Sequence, residues 1–168
     1  MNILKIFFNE PGREYNVREI ARLVNIAPAT ASKELKHLAK EKILQEREDR
    51  VYLLYKANLD SDSYQDLKTY YNIKKLRESG LIDKLNEFYL KPTVVLFGSA
   101  SFGMDTETSD YDLLVISEKT AEIDLKKFER KLGKKIQLFV FKDMKAINKH
   151  LVNNIINGIT LQGKLRWT

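Results

Sequence analysis

Two short apolar runs, Thr93-Val94-Val95-Leu96-Phe97 and Leu113-Leu114-Val115-Ile116, constrain the fold of this chain more than any other feature. Each is continuous and rich in β-branched residues, so each reads as a buried strand rather than as one face of an amphipathic helix. Pro92 precedes the first, a position where its missing N–H is tolerated. The first run ends in Gly98-Ser99, and the second is entered through Asp110-Tyr111-Asp112. Side chains alternate along a strand, so Asp110 and Asp112 point the same way and Tyr111 points to the other face. Two neighbouring carboxylates repel unless a cation lies between them.

The residues available decide which cation. The chain has no cysteine and only two isolated histidines, His37 and His150, which excludes disulfides, thiolate zinc sites and cysteine nucleophiles. Oxygen ligands remain, and magnesium prefers carboxylates together with phosphates. Gly98 supplies the complementary half, because glycine lets backbone approach a phosphate closely and a helix beginning near Ser99 would aim its N–H groups there. Together these residues predict a magnesium-nucleotide site. The simpler alternative, a glycine turn followed by surface aspartates, leaves the carboxylates at the mouth of an apolar strand unexplained.

Gly98-Ser99, ten residues and then Asp110-Tyr111-Asp112-Leu113 resemble the signature of the DNA polymerase beta type nucleotidyltransferase superfamily, and the short domain resembles its minimal members. Gly103, Ser109 and the closing Asn157-Gly158-Ile159-Thr160-Leu161-Gln162-Gly163 extend the likeness. The resemblance implies transfer of a nucleoside monophosphate from a triphosphate, ATP being expected, to an acceptor hydroxyl. It makes Asp110 and Asp112 the metal-binding catalytic pair and Gly98, Ser99 and Ser109 the nucleotide-binding residues. Active members carry a third carboxylate on a later strand. Here the matching strand is Ile136-Gln137-Leu138-Phe139-Val140-Phe141, and Gln137 stands where that aspartate is expected. Asp143 is in phase with Gln137 but about 20 Å along the strand at roughly 3.3 Å per residue, which leaves Asp105 or Glu107 of the preceding loop as candidates to move in. The lysines between residues 126 and 135 read either as a solvated helix face or as further phosphate contacts.

The first sixty residues carry a different pattern. Ile3, Leu4, Ile6, Phe7 and Phe8 predict a short helix ended by Pro11-Gly12. Val17, Ile20, Ala21, Leu23 and Val24 predict a second, with Asn16 as N-cap. After a three-residue corner, Pro28 opens a third helix whose buried stripe is Ala31, Leu35, Leu38 and Ala39. Its other face presents Thr30, Ser32, Lys33, Lys36, His37 and Lys40, donors suited to phosphates and base edges. Ile43 to Arg47 and Arg50 to Tyr55 then predict a hairpin around Glu48-Asp49 with Arg47 and Arg50 at its tip. The stretch from Val17 through Tyr55 resembles the winged-helix transcriptional regulators of bacteria and archaea, departing from them at Lys42, where a glycine is usual. That resemblance implies binding of double-stranded DNA through the third helix and the wing, and a homodimer on two-fold sites. A protein-contact or dimerisation module is the alternative use of the same elements.

Charge does not choose between them. Residues 1 to 60 hold 11 basic against 9 acidic residues, residues 61 to 90 hold 5 against 5, and residues 91 to 168 hold 13 against 9. DNA binding therefore has to rest on placement rather than on the net +6. No stretch reaches the roughly 20 apolar residues of a membrane helix, and Met1-Asn2-Ile3-Leu4-Lys5 lacks the form of a signal peptide, so a cytoplasmic protein is expected.

The expected architecture is mixed α and β (α/β in the broad sense, α+β in the strict one). It comprises a winged helix at 1–60, a helical connector at 61–90 broken near Ser79-Gly80, and a minimal nucleotidyltransferase domain with a small mixed sheet at 91–168. Two functions follow: a DNA-binding transcriptional regulator whose second domain binds magnesium nucleotide with impaired catalysis, or an active nucleotidyltransferase modifying a hydroxyl of a partner protein or small molecule, as minimal members that act as antitoxins do.

Overall fold

Asn16 begins the second helix of the chain through a reciprocal cap. Its side-chain oxygen accepts the Glu19 N–H at 3.0 Å, while the Glu19 carboxylate accepts the Asn16 N–H at 2.9 Å. Two otherwise orphaned donors are thereby satisfied. The computed structural model describes residues 2–166, and the chain separates into two compact units, 1–68 and 69–168.

The first unit contains α1 (Asn2–Asn9), β1 (Tyr15–Asn16), α2 (Val17–Val24), α3 (Pro28–Lys40), β2 (Leu44–Asp49), β3 (Tyr52–Ala57) and the opening of α4 (Asp62–Glu78). Asn25 ends α2 in the left-handed conformation, φ 53°, and Pro28 starts α3 at its first position. Phe7, Ile20, Ala31, Leu35 and Tyr55 are fully buried in its core. Phe7 packs edge-on against Tyr15 with ring centroids 5.5 Å apart. Tyr64, in the first turn of α4, donates its hydroxyl to the Phe7 carbonyl at 3.0 Å, which fixes that turn to α1.

Three features of this unit depart from the sequence reading. Strand β1 is absent from that reading, because two residues carry no periodicity; it pairs with β3, giving a three-stranded sheet in the order β1-β3-β2. Leu38 and Ala39 of α3 are only partly buried. The hairpin turns at Arg50-Val51 rather than at Glu48-Asp49, since Asp49 pairs with Tyr52. Leu44 opposite Ala57, both buried, sets that register, as a one-residue slip would turn this pair out of the core. Arg50 accommodates the turn with φ 56°. Lys42, at the position where a glycine is usual, also has positive φ, 59°, and its carbonyl accepts the Asn58 side-chain amide at 2.7 Å.

The second unit continues from α4 through α5 (Leu81–Phe88), β4 (Thr93–Phe97), β5 (Tyr111–Ile116), α6 (Lys126–Leu132), β6 (Ile136–Phe141), α7 (Lys149–Ile156) and β7 (Ile159–Gln162). Its sheet runs β6-β5-β4-β7. Strands β4 and β5 are antiparallel, β5 and β6 parallel, and β4 and β7 antiparallel, so the sheet is mixed. One face (Val94, Leu96, Tyr111, Leu113, Val115) packs on Leu76, Leu81, Leu85 and Leu132 from α4, α5 and α6. The other (Val95, Phe97, Leu114) packs on Ile147 and on Ile155 of α7. The central strands are covered on both sides, hence their unbroken apolar sequences. Gly158 is required where β7 approaches β4, because a Cβ there would lie 2.6 Å from the Leu96 carbonyl oxygen.

The segment 61–90 is thus more than a link. Its break falls at Gly80, φ 82°, as expected, but Leu76, Leu81, Ile82, Leu85 and Tyr89 belong to the same core as the sheet. No helix among the described residues is long and apolar enough to cross a membrane.

An L-residue in the left-handed region is strained by about 1–2 kcal/mol relative to glycine, partly offset by glycine's larger entropy in the unfolded chain. Lys42→Gly should therefore stabilise the first unit by roughly 0.5–1 kcal/mol, measured as a higher midpoint in thermal unfolding; a lower midpoint refutes the strain.

Candidate functional site

Strands β4, β5 and β6 bring the predicted residues to one edge of the sheet. Asp112 pairs with Phe97, the residue before Gly98, and on its other side with Gln137. Alternation turns Asp112, Gln137 and Phe97 toward the face covered by α7, with Asp110 in phase just before β5. Gly98 adopts φ 70°, and a Cβ on it would overlap the Asp112 carboxylate oxygen. Absence of a side chain here is what lets Asp112 lie against the turn.

The turn that follows is shorter than expected. Ser99–Phe102 forms one 3-10 turn closed by Gly103 at φ 66°, in place of a helix. Its leading N–H groups still lack intrahelical acceptors, as at any helix start. The Gly98 carbonyl accepts both the N–H and the hydroxyl of Ser101, at 3.1 and 2.7 Å. Ser99 lies half-buried at the head of this turn. The Ser109 hydroxyl accepts the Thr106 N–H at 2.9 Å and lies 3.2 Å from the Thr106 hydroxyl, so it shapes the loop before Asp110.

The Asp112 carboxyl is pushed above the ordinary aspartate range, first by burial and then by the charge of Asp110. Neither aspartate is ion-paired to a lysine or arginine of the described residues. Gln137 donates its neutral side-chain amide to an Asp110 oxygen at 3.2 Å. No group of three or more acidic or histidine side chains suited to a metal occurs among the described residues. The two carboxylates, with one of them desolvated beside its like-charged neighbour, fit a hard divalent cation shared with phosphate oxygens.

Of the expected substitutes for the third carboxylate, Asp105 and Asp143 are engaged elsewhere. Asp105 is 1% exposed, ion-paired with Lys134 and hydrogen-bonded to Asn72 at 2.7 Å. Asp143 accepts the Lys145 and Ala146 N–H groups at the far end of β6. Glu107 is exposed on the loop. Of the lysines between 126 and 135, Lys131 donates to the Glu78 and Ser79 carbonyls and Lys134 to Asp105 and Thr106. Lys126, Lys127 and Arg130 line an open groove of about 610 Å³ with Asp124 and Glu129.

On α3, Lys33, Lys36, His37 and Lys40 are exposed, Thr30 is exposed near the start, and Ser32 is half-buried, opposite the buried Ala31 and Leu35. Arg47 is within β2 and not at the tip, and its guanidinium grips Glu14 with two bonds of 3.1 and 2.8 Å. Arg50 alone occupies the turn. The residue that sequence reasoning passed over is Asn72, whose partners lie 28 to 39 positions away.

Residues 78–160 match the family model described as a nucleotidyltransferase domain, a span that includes the glycine turn, both aspartates and Gln137. The C-terminal part of the chain thus carries a nucleotidyltransferase domain. No curated protein matches the chain.

A carboxyl whose folded pKa lies above its unfolded value destabilises the fold fully above the folded pKa and not at all below the unfolded one, near 3.9. Asp112→Asn should therefore raise the melting temperature at pH 7, with the gain disappearing as pH falls below about 4. Gly98→Ala should lower stability by about 1–3 kcal/mol, because the new methyl displaces the Asp112 carboxylate at a strained φ. Thermal melts of both variants across pH check the two signs.

Proposed function

We propose that the C-terminal domain binds a magnesium nucleoside triphosphate, ATP being the expected one, and that the N-terminal unit is a winged helix that binds duplex DNA, making the chain a nucleotide-responsive transcriptional regulator. The observation that carries the first half is the seating of the Asp112 carboxylate against Gly98, in register beside Gln137 and in phase with Asp110. Two carboxylates in phase at one strand end, one of them desolvated, are unfavourable alone and favourable with a divalent ion.

In this reading Asp110 and Asp112 would hold the magnesium, which supplies charge neutralisation between the carboxylates and the β- and γ-phosphates. Gly98 admits the phosphates to the backbone, and Ser99 with the N–H groups opening its turn donates to them. Ser109 supports the site by fixing the loop that delivers Asp110. Gln137 orients Asp110 but adds no negative charge and no base to accept the acceptor's proton. Binding is retained while transfer is weakened.

The DNA-binding half is supported by the stripe Lys33, Lys36, His37 and Lys40, joined by Thr30 and Ser32 on α3 and by Arg50 at the hairpin turn. These match the recognition helix and wing of a winged helix, and Arg47 would reach DNA by exchanging Glu14 for a phosphate. A two-fold pair of chains on a two-fold site is the fitting assembly.

Magnesium ATP should raise the melting temperature of the protein and leave that of Asp110→Ala/Asp112→Ala unchanged, since only a ligand of the native state stabilises it. Equal shifts would remove the site. In fluorescence anisotropy with duplex DNA, log affinity should fall linearly with log salt, and Lys33→Ala/Lys36→Ala/Lys40→Ala should flatten the slope by about 0.9 for each phosphate left without its lysine; salt-independent binding overturns this assignment. Incubation with labelled nucleoside triphosphate, cell extract and the Gln137→Asp variant separates binding from catalysis. Transfer by the variant alone supports impaired chemistry, whereas transfer by the unaltered protein to a protein or small-molecule hydroxyl establishes an active nucleotidyltransferase.

A further inference from the structure

Asn72 lies on α4, outside the span matched by the nucleotidyltransferase family model, and is 1% exposed. A buried primary amide is costly unless its groups are bonded. Its Nδ2 donates to the Ala100 carbonyl at 3.1 Å and to Asp105 Oδ1 at 2.7 Å, and its Oδ1 accepts the Tyr111 hydroxyl at 3.3 Å. The amide orientation is set by these partners, because turning it would face its oxygen to two acceptors.

Each partner belongs to a different piece of the nucleotide site. Ala100 is in the turn that begins at Ser99. Asp105 anchors the loop running to Asp110, and Tyr111 separates the two aspartates. Asp105 Oδ2 in turn meets Lys134, which also donates to the Thr106 carbonyl and lies three residues before Gln137. The neighbouring residues of α4 extend the grip: Thr69 donates to the Ser101 carbonyl at 3.5 Å and Lys75 to the Leu132 carbonyl at 3.0 Å. One amide therefore ties together the phosphate-facing turn, the connecting loop and the carboxylate strand from the side of the sheet opposite the carboxylates.

We infer that Asn72 is a positioning residue that, through Ala100 and Asp105, sets the separation between the Gly98-Ser99 turn and the Asp110/Asp112 pair at the value a magnesium nucleoside triphosphate requires. The inference rests on the nucleotide-binding reading of that site. Asn72 reaches the turn only at the Ala100 carbonyl and touches none of the groups that would contact the ligand; it acts by holding the backbone that carries them. Replacing the amide by a carboxylate of the same shape directs negative charge at the Ala100 carbonyl and at Asp105, so the turn and the loop are pushed apart while the hydrocarbon packing is kept.

The test is calorimetric titration of the full chain with magnesium ATP, beside thermal melts without ligand. Asn72→Asp should weaken binding at least tenfold and Asn72→Ser severalfold, with the unliganded proteins still melting cooperatively. Asp105→Asn should weaken binding in the wild-type background and add less in the Asn72→Asp background, since both act on one loop. Should Asn72→Asp fail to fold, Tyr111→Phe, which removes only the hydroxyl bonded to Asn72 Oδ1, takes its place and should also weaken binding. Unchanged affinity in the folded variants, or fully additive losses, overturns the positioning role while leaving the site intact. Failure of the unaltered protein to bind magnesium ATP overturns the underlying reading and this inference with it.

Discussion

Asp112 can occupy its position only because the residue facing it has no side chain. Strand pairing places Asp112 opposite Phe97, and the chain leaves that strand through Gly98, whose φ of 70° and missing Cβ open the space that the carboxylate fills. The two residues are fourteen apart in sequence, and neither is intelligible alone: a glycine here without the aspartate is a turn, and the aspartate without the glycine is a clash. Burial and the adjacent charge of Asp110 disfavour the ionised form of Asp112, so the fold holds a carboxylate at an energetic disadvantage. Such disadvantage at a sheet edge, persisting in a domain whose remaining interior is well satisfied, is the pattern expected where a ligand supplies the missing charge.

The support for that strained edge comes from the opposite face. Asn72, Asp105, Lys134 and Tyr111 form a buried polar set in which hydrogen bonds join α4, the loop after the turn, the start of β5 and the approach to β6. Breaking one partner of a buried pair leaves the other uncompensated, so a set of this kind specifies one arrangement more sharply than apolar packing does. Lys75 shows the accompanying cost: burial, followed by repulsion from Lys134, holds its ammonium below the usual lysine range.

Much of this is legible in the sequence, and the reasons for success and failure are physical. Asn16, Asn25, Pro28 and Gly80 mark helix ends by local chemistry, and local chemistry is what a sequence displays directly. The strands β4 and β5 follow from unbroken apolar runs and β6 from the family resemblance, and strand alternation alone puts Asp110 and Asp112 on one face. What escapes is non-local. Strand β1 exists because Tyr15 finds Tyr55, and the hairpin turns at Arg50 because Leu44 must meet Ala57 inside the core. Nothing in the sequence of α4 marks Asn72 as buried, since that is recognisable only once Ala100, Asp105 and Tyr111 are known to surround it. Asp105 looks available to the metal for the same reason, and Lys134 has already taken it.

Gln137 pairs in register with Asp112 and its amide reaches Asp110, so a neutral side chain stands beside the two aspartates. A carboxylate there would add a third repulsion to a strand edge already carrying two acidic groups, whereas an amide donates to Asp110 and relieves part of it. Glutamine at this position therefore favours the ligand-free domain and, on the proposed reading, leaves less negative charge to hold divalent ions. A single ion suffices to gather the phosphates of a nucleotide, but activating an attacking hydroxyl needs a further charge or base. On the proposed reading that imbalance favours nucleotide retention over transfer, which is what a DNA-bound regulator would require of its second domain.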